Sequence, residues 1–213
     1  MQINLEILRC VCVEDNEKCD ALNEKIIVSD MLLRRRLTRN ARIVLYLNDQ
    51  IGEKQSPVVI GNAYGEVHET FAILKSIAAQ ETVSPTQFQN SVHNTPASYL
   101  SIVGQNKGYI TTVSDLHNTS EAVLKVGAVK SLTMELMVLI VTDAIDFLHL
   151  DELNRCGITK KECGVALLVR YTTKSSTITL ANKQYDGYSP SVWKMLEISE
   201  KLGDATGIIT IDV

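Results

Sequence analysis

Apolar residues along this chain fall into two kinds of run: short β-branched stretches, and longer stretches spaced at three and four residues. Residues 5–13 are apolar and β-branched and predict a first strand, followed by a polar loop over 14–19. Apolar positions 37, 41, 44, 45 and 47 make a helical stripe. A breaker-rich connection at 49–57 leads into a short strand at 58–60 that ends at Gly61. That strand shows no alternation, which predicts cover on both of its faces. Val67, Phe71, Leu74, Ile77 and Ala78 recur at helical spacing and predict a helix over 66–80. Pro85 can open a short helix, because a first-turn amide has no partner to lose. Further on, the pattern predicts a helix at 99–103 ending near Gly104, and a strand at 109–114. A helix at 119–129 follows, capped by Asn118 or Thr119. Residues 135–143 read as the clearest buried strand, and 165–171 with 176–180 as a hairpin or adjacent strand pair. A turn cluster at 185–190, a helix at 192–202 and a strand at 208–213 complete the pattern.

Strands alternating with helices predict an α/β fold, a layered sandwich with a mostly parallel mixed sheet and helices on its faces. The 213 residues fit one domain, 1–213, with the packing of the tail, 181–213, left open by the pattern. An apolar content of 45% argues against disorder, and a formal charge of −4 gives no reason to expect nucleic acid as a partner. The one basic cluster, Arg34, Arg35, Arg36, Arg39 and Arg42, reads as the solvated start of a helix or as a contact for an anionic partner. No run is long and apolar enough to predict a membrane span, and no signal peptide is visible at the start.

Cysteines at 10, 12, 19, 156 and 163 are odd in number and suit a reducing compartment, so a cytoplasmic location is expected. A metal site on Cys10, Cys12 and Cys19 lacks a fourth ligand, and His68 and His149 are not at ligand spacing. Gly61 and Gly65 are too sparse for a phosphate-cradling loop. No cofactor or metal is expected.

One segment carries more information than the rest. Residues 84–102, with Ser91, Val92, His93 and Asn94 at their centre and Tyr99 beyond, resemble the run that precedes the acyl-accepting cysteine in ketosynthases. Weaker matches fall in the same order at 31–42, 61–66, 111–122, 141–145 and 161–169. The chain thus resembles the ketosynthase and chain-length-factor group of the thiolase-like fold, specifically the N-terminal half of a ketosynthase. The resemblance covers roughly residues 30–170 and implies a thiolase-like half. It also implies that Ser91, His93, Asn94 and Tyr99 are structural or lie at a subunit interface.

A condensing ketosynthase needs a thiolate at a helix start and two histidines from its second half. Aligned on the family, the usual cysteine position is His117, and in some half-length relatives it is Asp115. Neither is a thiol. A full ketosynthase is about twice this length, and its second-half histidines have no counterpart here. The resemblance therefore implies a non-condensing subunit of fatty-acid or polyketide-type (aryl-polyene-like) synthesis. Such a subunit would work as a homodimer or beside a full-length ketosynthase, with an acyl carrier protein as a further partner. Two alternatives stay open: an acyl-thioester enzyme using His117, oriented by Asp115, or another pocket group; and a ligand- or protein-binding domain with an unrelated role.

Overall fold

The computed structural model describes residues 1–14, 27–145, 157–160 and 162–213. The elements are β1 (Gln2–Glu14), α1 (Met31–Arg34), α2 (Arg39–Ile51), β2 (Val58–Gly61), α3 (Val67–Ala78), α4 (Pro85–Asn90), α5 (Thr95–Val103) and β3 (Ile110–Val113). A 3₁₀ turn (Leu116–Asn118) then leads into α6 (Thr119–Ser131), β4 (Met137–Ala144) and β5 (Glu162–Thr172). A second 3₁₀ turn (Pro190–Val192) precedes α7 (Trp193–Leu202) and β6 (Gly207–Asp212). The sequence places for Cys19, His149 and Cys156 lie outside the described residues.

One six-stranded sheet has the order β3-β2-β4-β5-β1-β6. β2 pairs in parallel with β3 and β4, whereas β5 is antiparallel to β4 and β1, and β6 is antiparallel to β1. β1 to β4 therefore point one way, and β5 and β6 the other. Two layers of helix cover this sheet. α6 and α7 pack on the face formed by Met137, Leu139 and Val141 of β4 and Val165, Leu167 and Val169 of β5. α2 and α5 pack on the opposite face, against Val138 and Ile140 of β4 and Ala166 and Leu168 of β5. Alternate residues of β4 thus serve opposite cores, and all of β4 is buried. That is why its sequence is continuously apolar rather than alternating.

A register shift between Ile7 and Arg9 changes the phase of β1. Ile3, Leu5 and Ile7 face the α6/α7 layer before it, and Cys10 and Cys12 face the same layer after it. The expected strand at 176–180 does not form. Both edges of β5 are already taken by β1 and β4, so no ladder is open to a following strand. Residues 177 and 178 instead donate their amides to the Ile208 carbonyl at the outer edge of β6. The tail is fully integrated: α7 places Met195, Leu196, Ile198 and Leu202 in the core. Among the described residues, no helix is long and apolar enough to cross a membrane.

α3 is the exception to this economy. Its sequence has a full apolar stripe, yet none of its residues is buried. Leu74 and Ile77 are each 58% exposed, and Phe88 on α4 is 68% exposed.

Candidate functional site

In open α/β sheets, ligands gather at the carboxyl ends of the strands, where chains diverge to either side. Here the ends of β2, β3 and β4 lie side by side and carry an unusual density of buried polar groups.

β3 ends in a tight turn into α6. Leu116 in that turn has φ +44°, a left-handed conformation that a leucine seldom adopts. Thr119 fastens it: its Oγ1 accepts from the Asp115 amide at 3.0 Å and donates to the Leu116 carbonyl at 2.8 Å. Helix α6 can sit this close to the sheet because residue 61 is glycine. A Cβ there would lie 2.4 Å from Val123 Cγ2 and 2.8 Å from Thr119 Cγ2. The second 3₁₀ turn, from the tail, packs against this first one.

The sequence pointed to His117 and Asp115 as chemistry at this turn. Both are exposed, and among the described residues no hydrogen bond joins Asp115 to His117. The residue held in the strained conformation is Leu116, which has no reactive group. Cys163 is buried at the start of β5, opposite Asp143 in the ladder, and Cys10 and Cys12 are half-buried in β1. A buried thiol among apolar neighbours is inert.

The end of β2 is richer. The Asn62 amide bonds to the Val113 carbonyl at 3.3 Å, tying it to the end of β3. The Ala63 amide donates to Asp143 Oδ1 at 3.0 Å. Asp143 is nearly fully buried and also accepts from the Ser191 hydroxyl, with Ser189 Oγ 2.6 Å from Ser191 Oγ. Burial pushes the Asp143 carboxyl up to about 6, against the pull of the Ser191 and backbone hydrogen bonds. Glu66, at the head of α3, is likewise pushed up to about 7 by burial, opposed by its bond from Thr38 Oγ1 at 2.8 Å. Asn40 joins the two carboxyl regions. It donates to the Gly65 carbonyl at 2.8 Å and accepts from Thr142 Oγ1 at 3.4 Å.

A cleft of about 230 Å³ opens between the starts of α2 and α3, lined by Thr38, Arg39, Arg42, Glu66 and His68 among others. Its arginines are engaged within the chain. Arg39 forks onto Glu162 at 2.5 and 2.7 Å, and Arg42 Nε donates to the Leu37 carbonyl. Arg34 is also turned inward, onto the Val28 carbonyl at 2.8 Å. Among the described residues no group of His, Cys, Asp and Glu is placed to hold a metal.

The run at 84–102 folds as α4, a turn and α5, and two of its residues pin it. Asn90 Nδ2 and the Tyr99 hydroxyl both donate to the Arg36 carbonyl, at 2.8 and 3.0 Å, and the hydroxyl also lies 3.1 Å from Asn90 Oδ1. Tyr99 is buried, whereas His93 and Asn94 are exposed; Ser91 Oγ turns back onto the Phe88 carbonyl at 2.9 Å. Asn94 opens α5, its carbonyl accepting from the Ser98 hydroxyl at 3.1 Å. His93 Nδ1 meets Asn62 Oδ1 at 2.9 Å. Asn62, Asn90, Asp143 and Ser191 were not legible as a group, because each stands alone in the sequence.

Residues 14–198 match the family model of the beta-ketoacyl synthase N-terminal domain. The chain belongs to that family. Among solved structures, a chain in the ketosynthase ApeO complexed with its chain length factor ApeC, from Xenorhabdus doucetiae, superposes with a TM-score of 0.71 at 17% identity. The match covers 99% of this chain and 100% of that one. The ishigamide ketosynthase/chain length factor matches with a TM-score of 0.58 at 14% identity, over 72% of this chain and 49% of that one. A third match, from the AntDE:AntF complex of a type II polyketide synthase acyl-carrier protein with its ketosynthase, has a TM-score of 0.56 at 10% identity. It covers 80% of this chain and 64% of that one. The fold is the thiolase-like ketosynthase fold. No curated protein matches the sequence.

Proposed function

We propose that this chain is a non-condensing ketosynthase-like subunit, of the chain-length-factor kind, that works paired with a ketosynthase in fatty-acid or polyketide-type (aryl-polyene-like) synthesis. The observation that carries this reading is an open side. Both faces of the sheet are covered by the chain's own helices, and the outer edge of β6 is partly covered by residues 176–178. By contrast, among the described residues β3 pairs only with β2, and α3 and α4 with the turn after them carry exposed Leu74, Ile77, Phe88 and Val92. A strand edge without a second partner and exposed apolar side chains each invite pairing with another chain. Solved chains of this fold include a ketosynthase held with its chain length factor and one held with an acyl-carrier protein, which supports a ketosynthase as partner and a carrier as visitor.

The turn after β3 supports the non-condensing half of the reading. It holds Leu116 in a left-handed conformation, and neither Asp115 nor His117, the positions aligned with the family's cysteine, carries a thiol. Residues 1–213 act as one unit in this reading, with both chain ends in the same sheet: the Met1 amine donates to the Val213 carbonyl at 2.9 Å. Cys10, Cys12 and Cys163 form no disulfide, which is in keeping with a reducing, cytoplasmic setting.

Co-expression with a ketosynthase encoded beside it, followed by native mass spectrometry, tests the pairing. A heterodimer that survives purification is expected. A chain that stays monomeric with every neighbouring ketosynthase and with itself would remove the reading.

A further inference from the structure

β6 forms the edge of the sheet opposite β3, and only part of its outer side is in use. Its end turns inward: the Val213 amide donates to the Met1 carbonyl at 2.8 Å, and the Val213 carbonyl accepts from the Met1 amine. Ile208 turns the other way. Its carbonyl accepts from the Thr177 and Ile178 amides at 2.9 and 3.0 Å, and its amide donates to Thr177 Oγ1 at 2.9 Å. Residues of an antiparallel strand alternate in this respect, so Thr210 and Asp212 also direct amide and carbonyl outward. Among the described residues no hydrogen bond reaches those outward groups.

The course of the strap at 176–182 leaves them open. It follows β6 at Ile208, then departs for α7, where the Ala181 and Lys183 amides donate to the Glu197 carboxylate at 2.5 and 3.2 Å. A cleft of about 380 Å³ lies where strap and strand part. Its apolar lining is Leu124 of α6, Ile178 and Leu180 of the strap, and Ile211 of β6. Thr210 and Asp212 line it too. Ile211 belongs to the α6/α7 core, so its two neighbours turn their side chains to the other face, where Thr210 Oγ1 donates to Asn4 Oδ1 at 2.7 Å. What they offer the cleft is backbone. The charges at its rim cancel: Lys125 and Lys194 both hold Glu121, at 2.8 and 2.7 Å, and Asp212 accepts from Gln2 Nε2 at 3.0 Å. Two cations against two carboxylates give the rim no preference for a charged ligand.

We propose that this cleft docks an extended, uncharged peptide segment of a partner protein, which adds to the outer edge of β6 at Thr210 and Asp212 and sets an apolar side chain against Leu124 and Ile211. Strand addition of this kind draws affinity from main-chain hydrogen bonds and specificity from alternate side chains. The chain's own strap supplies the template, since its backbone already bonds to this side of the strand at Ile208. The site is separate from the pairing proposed above, because β3 and β6 are opposite edges of the sheet.

The test uses the full chain and, as probe, a capped peptide with the sequence of residues 176–180, acetyl-Ser-Thr-Ile-Thr-Leu-amide. Amide hydrogen exchange read by NMR reports where it sits. In the free protein the Thr210 and Asp212 amides should exchange freely; millimolar probe should shift and protect both. Thr210→Pro removes only an outward donor, which an edge strand tolerates. It should weaken the probe about tenfold, the loss expected for one hydrogen bond. A fully N-methylated probe leaves the protein untouched and should not bind. Unchanged Thr210 and Asp212 amides at millimolar probe, or equal binding of the N-methylated peptide, overturns the proposal. So does a probe that merely displaces the strap, seen as changes at Ile208 without protection of Thr210. Protection of Thr210 that grows with protein concentration alone would give the edge to a second copy of this chain, and the proposal falls.

Discussion

The hydroxyl of Ser191 is bonded to the carboxylate of Asp143, joining the tail to the end of β4 across a sequence distance of 48 residues. Because Asp143 also accepts from the Ala63 amide, one side chain ties together β4, the loop after β2 and the turn before α7. A single carboxyl therefore anchors the tail to the strand ends.

Its charge works against it. The Asp143 carboxyl is pushed up to about 6 from 3.8, and that of Glu66 up to about 7 from 4.5, in both cases chiefly by burial. A carboxyl whose value is raised on folding stabilises the fold fully below its unfolded value and loses that contribution as pH rises through its folded value. Stability should therefore fall as pH rises from about 4 to about 7, by on the order of 3 kcal/mol for each group. Thermal unfolding across this range checks the slope. Glu66→Gln should flatten its upper part, near pH 7, and an unchanged slope in that variant would show that Glu66 is not the titrating group.

Gly61 sets the distance between α6 and β2. Gly61→Ala would place a methyl 2.4 Å from Val123 Cγ2. Overpacking of this kind should cost about 1–3 kcal/mol in chemical denaturation. Adding Val123→Ala should recover much of it, since the double variant restores the space.

The tail contributes core, not decoration. Met195 of α7 is wholly buried. Met195→Ala should destabilise by about 2–5 kcal/mol. A loss as small as that of a surface substitution would mean that α7 is only loosely docked.

At the exposed apolar positions the expectation reverses. Phe88 is 68% exposed and Leu74 58% exposed, so aspartate at either place should leave unfolding of the isolated chain within about 0.5 kcal/mol of the parent. The same variants should weaken or abolish pairing with a ketosynthase in native mass spectrometry. Retained pairing in the Leu74→Asp, Phe88→Asp double variant would move the interface elsewhere.

The turn after β3 gives one more contrast. Leu116 is held at φ +44° and is 67% exposed, so its side chain contributes little to folding. Leu116→Gly should relieve the backbone and leave the melting temperature no lower. Thr119→Val should lower it, because both hydrogen bonds that close the turn are lost.

Much of this molecule was written locally. The unbroken apolar run of β4, the helical stripes of α2, α3 and α6, and the proline that opens α4 all announce themselves, because each depends on residues a few positions apart. The family likeness, too, lay in one contiguous run at 84–102, and the missing thiol around Asp115 and His117 needed no coordinates. What the sequence could not decide is which side chains meet. The stripe of α3 predicted the helix that forms, yet whether a stripe is covered depends on the neighbours the chain brings over it. The stretch at 176–180 had strand character but found both edges of β5 occupied. Asn62 with His93, and Asp143 with Ser191, are joined only because the carboxyl ends of β2 and β4 meet turns from separate parts of the chain. Periodicity encodes the face a residue turns; the packing of whole elements decides what that face encounters.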